Sequence, residues 1–207
     1  MNPAVRRVFA QILEREAVRG PVLEVGAVPG PDALLSLDAL AGIGPRIGLN
    51  LQAFPATASV HASAPFEMVQ GNANAMTMFA DASFGCVLSN ATLEHDGRFW
   101  QTLAEIRRVT AAGGLVVIGV PGFRGMGPAA LAPPRSLAGR GISLLARLTR
   151  HEALLAGSGT LGEHHFPGDY YRFSEQAMRE ILLQDLLQPQ CRWVMSPPRI
   201  VGWARKP

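Results

Sequence analysis

Pro21–Gly30, PVLEVGAVPG, is the stretch on which the reading of this 207-residue chain turns. Val22, Leu23 and Val25 form a short apolar run that carries one acid, Glu24, and empties into a loop bounded by Gly26 and Gly30. Bulky residues followed by glycines mark a buried parallel strand whose backbone must then turn tightly. A helix is expected next, over about 31–40. Pro31 suits its first turn and Asp32 its positive dipole end. Strand, glycine loop and helix make the opening unit of an open α/β sheet, which binds ligands at the carboxyl ends of its strands.

Working outward, residues 3–19 carry Val5, Val8, Phe9, Ile12 and Leu13 on one helical face, with Asn2 as cap and Pro3 in the first turn. RIGLN (46–50) reads as a second strand and 52–65 as loop. PFEMVQG (65–71) and FGCVLS (84–89) read as the third and fourth strands. A helix over about 97–111 follows, with Phe99, Leu103, Ile106 and Val109 as its stripe and Gly113–Gly114 as its stop. LVVIGV (115–120), apolar throughout, is a central buried strand. Residues 123–168, rich in Gly, Pro, Ala and Arg, interrupt this rhythm as an insertion. One helix is expected there, over 136–150, as a substrate lid, as packing, or as a peripheral membrane or partner contact. Ser174 caps a last helix to about Leu187, and QCRWVMS and PRIVGWARK close the chain as an antiparallel hairpin.

Composition narrows the class. Hydrophobic residues make up 48% and charged residues 17%, which is globular rather than disordered, and 207 residues suffice for one domain spanning 1–207. The net charge of +3 comes without a dense Lys/Arg run, which argues against a nucleic-acid partner. Cys86 and Cys191 lie in apolar strand-like runs and read as free buried thiols. No segment has the length of a membrane span and no signal-peptide pattern opens the chain, so a cytoplasmic location is expected.

Four elements together, LEVGAVPG, GNANAM, LEH, and AEIRRVTAAGG before an apolar strand, resemble class I S-adenosylmethionine-dependent methyltransferases of the type-11 group. A further element, HHFPGDYYRFS (164–174), resembles a segment found in a subset of them. The resemblance implies a Rossmann-like α/β fold. Its seven-stranded, mostly parallel sheet has helices on both faces and its last strand antiparallel. It also implies S-adenosyl-L-methionine as cofactor, bound across the carboxyl edge. Glu24, Gly26, Ala27 and Gly30 then fall on the loop that holds the methionine part. Asn50, with Leu51 beside it, falls on the ribose-binding position, and Asn72 with Ala73 on the adenine-contacting position. Ser89 and Asn90 fall beside the methyl-transfer site.

Three departures from the family pattern stand out. The loop is G-A-V-P-G rather than G-x-G-x-G; amides at Asn50 and Asn72 replace acids; and Gly85 replaces an acid before the fourth strand, read as a surface change. Two missing carboxylates imply cofactor binding weaker by about 1–2 kcal/mol, and Asn50→Asp is expected to tighten it. His95, His165 and Asp169 are the candidates for a general base, and Tyr170, Tyr171 and Arg172 for the substrate pocket. Adjacent His164 and His165 lack ligand spacing, so no metal is expected. The function implied is methyl transfer to a small-molecule acceptor. The alternative is a catalytically degenerate methyltransferase-fold binding module. A nicotinamide oxidoreductase would need G-x-G-x-x-G after the first strand, which the chain lacks.

Overall fold

The computed structural model describes residues 1–31, 33–54, 66–125, 137, 141, 144–145, 148, 158–160, 168–195 and 198–207. Their sheet has seven strands: β1 (Val22–Val25), β2 (Arg46–Asn50), β3 (Glu67–Gln70), β4 (Phe84–Asn90), β5 (Thr110–Pro121), β8 (Leu187–Met195) and β9 (Pro198–Arg205), in the order β3-β2-β1-β4-β5-β9-β8. The first five run parallel; β9 is antiparallel to β5, and β8 antiparallel to β9. The expected Rossmann-like architecture, closing hairpin included, is therefore present. A second, two-stranded sheet pairs β6 (Phe123–Gly125) with β7 (Ser158–Thr160) inside the insertion.

Alternation along each strand builds two cores. Val22, Cys86, Leu88, Leu115 and Val117 face one side, where α1 (Pro3–Arg15) and residues 33–40 pack. Leu23, Val25, Val87, Val116 and Ile118 face the other, beneath α2 (Phe99–Val109) and Met178–Leu183. A central strand buried on both faces has to be apolar at every position, and LVVIGV is. Asn2 caps α1 by accepting from the Ala4 and Val5 N–H groups.

Three predicted helices or helix ends are not formed as expected. The segment after β1 is two short 3-10 turns, Leu34–Ser36 and Asp38–Leu40, with Leu37 extended between them. Its backbone finds side-chain partners instead of an i→i−4 ladder. Glu24 accepts from Leu35 N at 3.1 Å, the Arg46 guanidinium donates to the Leu35, Leu40 and Ile43 carbonyls, and Arg6 donates to those of Pro31 and Ser36. The last helix is one turn, Glu175–Ala177, continuing into a π turn, Met178–Leu182, although Ser174 caps it as expected. Gly113 and Gly114 do not end α2, which stops at Val109. They lie in an irregular start of β5, where Gly113 has φ +71° and its N–H meets Lys206 O. Gly85 is not a surface change: a side chain there would overlap the Arg19 carbonyl.

The loop at 55–65, His164, His165 and Asp32 lie outside the described residues. Of the predicted 136–150 helix, Leu137, Gly141, Leu144, Leu145 and Leu148 are described; each is helical, and the four leucines are exposed. Among the described residues no helix is long and apolar enough to cross a membrane.

Candidate active site

The carboxyl ends of β3, β2, β1 and β4 lie side by side, so the loops that follow them form one edge. Gly26 leaves β1 at φ +82°, and its N–H and that of Ala27 both donate to Leu49 O, at 2.8 and 3.1 Å. The space where a Gly26 side chain would stand is taken by the Thr92 hydroxyl, which also donates to Val25 O at 3.2 Å. Gly26 is thus required by the close approach of the turn after β4. Ala27 is fully buried, whereas Val28 is exposed and Gly30, at φ +144°, has open space around it.

Glu24 does not face this loop. Period-two alternation turns its carboxylate to the α1 side, where it accepts from the Leu35 N–H. Burial pushes its pKa up to about 7, against the lowering effect of the Leu35 and Leu34 N–H groups. It anchors the 3-10 segment behind the loop.

Asn50 uses both ends of its amide. Nδ2 donates to Ala27 O at 2.8 Å and Oδ1 accepts from Gln52 N at 2.9 Å. An Asp could not make the first bond, so the amide at this position braces the glycine loop. Leu51 beside it is exposed. Asn72 closes its own turn by accepting from Asn74 N at 2.9 Å, and Ala73 is half-buried against the α2-side core. Among the described residues, the buried Ser89 hydroxyl has no partner, and Asn90 Oδ1 is likewise buried and unbonded, next to Gly119 and the Phe9 ring.

Two side-chain clusters were not legible as site features in the sequence. Asn74 Nδ2 donates to Asp96 Oδ2 and Thr102 Oγ1, which tie the β3 loop to α2. Arg108 donates to Glu105, to Asp81 and to the carbonyls of Met76 and Phe79. The E-x-x-R spacing, recognised only as a signature, is a clamp on the loop beyond Asn72: three residues apart on a helix puts the two side chains on one face.

The turn Leu93–His95 follows, with a strap over it. Tyr170 and Tyr171 N–H groups donate to Glu94 O at 2.8 and 3.3 Å. Phe173 pairs across Gly122 at the end of β5. Gly168, at φ +82°, lies against His95 O. Within the strap Asp169 and Arg172 form a two-pronged ion pair, both contacts at 2.6 Å. Tyr171 and Phe173 pack on Phe99, at ring separations of 5.1 and 5.5 Å, while Tyr170 is exposed. The structure thus brings the His95 turn together with Asp169, Tyr171 and Arg172. Among the described residues no cluster of three His, Cys, Asp or Glu is arranged to hold a metal.

Residues 44–118 match the methyltransferase domain family. Two curated relatives, uncharacterized methyltransferases of Mycobacterium marinum (strain ATCC BAA-535 / M) and Mycobacterium ulcerans (strain Agy99), are 39% and 38% identical over 106 residues. That stretch is 50% of this chain and 40% of each relative, so the chain spans less than half the length of the proteins it matches. Among solved structures, a Burkholderia thailandensis 1,6-didemethyltoxoflavin-N1-methyltransferase, with 1,6-didemethyltoxoflavin and S-adenosylhomocysteine bound, aligns with TM-score 0.64 and 20% identity. The alignment covers 99% of this chain and 79% of that one. A Haemonchus contortus phosphoethanolamine N-methyltransferase 2, in complex with phosphomonomethylethanolamine and S-adenosylhomocysteine, aligns with TM-score 0.59 and 14% identity, over 97% and 52%. Sheet order and structural likeness agree on a Rossmann-like fold of the class I methyltransferase type, and the family match covers residues 44–118 of it.

Proposed function

We propose that this domain is an S-adenosylmethionine-dependent methyltransferase acting on a small-molecule acceptor. The observation that carries the reading is the alignment, along one sheet edge, of the glycine loop, Asn50, Asn72–Ala73 and Ser89–Asn90 at the ends of adjacent strands. The residues present suit the cofactor. The Gly30 side of the loop is open for backbone approach, exposed Val28 and Leu51 offer apolar contact, and Ser89 and Asn90 keep buried polar atoms unspent. The neighbours crystallised with S-adenosylhomocysteine and with small acceptors support the same assignment.

When bound, S-adenosylmethionine supplies an activated methyl group. The Gly26–Gly30 loop would hold its amino-acid part, Leu51 and Asn72–Ala73 its adenosine. The tasks left to the chain are alignment of the acceptor and exclusion of water. The strap over the Leu93–His95 turn suits both, and Tyr170, Tyr171 and Arg172 would face the acceptor from it. His95 and Asp169 lie on this side as well, Asp169 committed to Arg172. The binding-module alternative gains no support from an edge with unspent polar groups. Isothermal titration with S-adenosylmethionine tests the reading: saturable binding is expected, and its absence sinks it.

A further inference from the structure

Glu94 is a buried acid to which neither the glycine loop nor the strap's ion pair gives a bond. Its side chain has no exposure, and no hydrogen bond from another described residue reaches either carboxyl oxygen. A buried carboxyl left in this state is costly unless something else completes it. Its place is informative. Glu94 is two residues beyond Thr92, whose hydroxyl packs on Gly26 in the cofactor loop. The charged groups around it come from three elements. Arg172 and Asp169 lie on the strap; Arg199, on β9, pairs in register with Pro121 at the end of β5; His95 is its chain neighbour. Arg199 keeps its own Nε buried and unbonded among the described residues, and its guanidinium attracts Glu94 without hydrogen-bonding either carboxyl oxygen.

We infer that the Glu94 carboxylate is the proton acceptor of the methyl-transfer step, and that the methyl acceptor is a protic nucleophile with an N–H or O–H at the reacting atom. This rests on the methyltransferase reading above. The acceptor enters beneath the strap and places its N–H or O–H against Glu94. Its lone pair forms the new bond to the methyl carbon, the carbon–sulfur bond breaks with its pair left on sulfur, and the acceptor's proton passes to Glu94. Arg199 then has its Nε–H for an electronegative atom of the same molecule. Burial pushes the Glu94 carboxyl up to about 7, against the pull of its own N–H and of Arg199 and Arg172, with Asp169 adding to the rise. That value suits a base working near neutrality.

The test needs no knowledge of the acceptor. S-adenosylmethionine carries a sulfonium charge that S-adenosylhomocysteine lacks, and an ionised carboxylate beside the sulfur distinguishes them. Both ligands are titrated calorimetrically from pH 5.5 to 8.5. The ratio of S-adenosylmethionine to S-adenosylhomocysteine affinity should rise by about tenfold with a midpoint near 7, and be flat in Glu94→Gln. Glu24, on the other face, acts on both ligands alike and drops out of the ratio. Arg199→Gln should move the midpoint upward, which carries the test if Glu94→Gln does not fold. A flat ratio in wild-type protein that binds both ligands overturns the assignment of Glu94 and spares the cofactor site. So does a rise that survives Glu94→Gln, or a midpoint that Arg199→Gln leaves in place. Binding of neither ligand overturns the cofactor reading itself.

Discussion

Two buried glutamates divide the site between them. Glu24 and Glu94 are both withdrawn from water, and both are pushed by burial to a pKa of about 7. Glu24 is spoken for: backbone N–H groups of the 3-10 segment meet it, and the loop in front of it is laced by the Gly26, Ala27 and Asn50 bonds. Glu94 has no such partner among the described residues, and the charges of Arg199, Arg172 and Asp169 act on it. The β1 side is therefore a finished scaffold and the strap side an unfinished one. Equal displacement of a pKa does not mean equal function; the bonding around the carboxyl separates an anchor from a reactive group.

The largest blow to the scaffold side is Gly26→Val. It forces a β-branched residue into φ +82° and onto the Thr92 hydroxyl. A loss of about 3–5 kcal/mol in denaturant unfolding, and loss of S-adenosylmethionine binding, are expected; retained affinity would mean that the loop is not the cofactor site. Next comes the pH response that the two acids share. Each has a folded-state pKa raised from 4.5 to about 7, so the native state keeps a proton that the unfolded chain has released. Their contribution is full below 4.5, is lost as pH rises through 7, and is level beyond. Unfolding free energy should fall by about 3 kcal/mol per group across that window.

Neutral replacements sharpen the contrast. At pH 8, Glu94→Gln should gain about 1–2 kcal/mol. Glu24→Gln should gain less, because its new NH2 must face the Leu34 and Leu35 N–H groups. Equal gains, read from urea melts, would erase the distinction. Arg108→Ala should cost about 1–2 kcal/mol and weaken cofactor binding several-fold, since it frees the Met76 and Phe79 carbonyls that hold the loop beyond Asn72. The smallest effect is expected of Asn50→Asp. The sequence suggested tighter binding, but the structure spends Nδ2 on Ala27 O. The variant should bind S-adenosylmethionine a few-fold more weakly by calorimetry.

Periodicity makes the sheet legible in the sequence. The strands RIGLN, FGCVLS and LVVIGV fall where their apolar runs lie, and the α1 stripe is the buried face. Local cues failed where distant side chains served the backbone. Pro31 and Asp32 are good helix-starting residues, yet Arg46, Arg6 and Glu24 satisfy backbone groups of Pro31, Leu35, Ser36, Leu40 and Ile43, and residues 33–43 form no α-helix. Gly113–Gly114 has the look of a helix stop, but β9 and the Lys206 backbone draw it into the sheet. For the proposed site, motif spacing points to the strand-end loops, because a parallel sheet puts its ligand-binding loops at one edge. It was blind to the Glu105–Arg108 clamp and to the solitary state of Glu94, which depend on what stands opposite.

The residues alone determined the fold class and the strand positions, since alternation and glycine placement are written locally in the chain. Which polar groups are satisfied and which are left over was decided only in three dimensions. A hydrogen bond or a burial cost depends on what stands opposite a group, and charges such as Glu94 and Arg199, 105 positions apart, come into each other's field only once the sheet has closed.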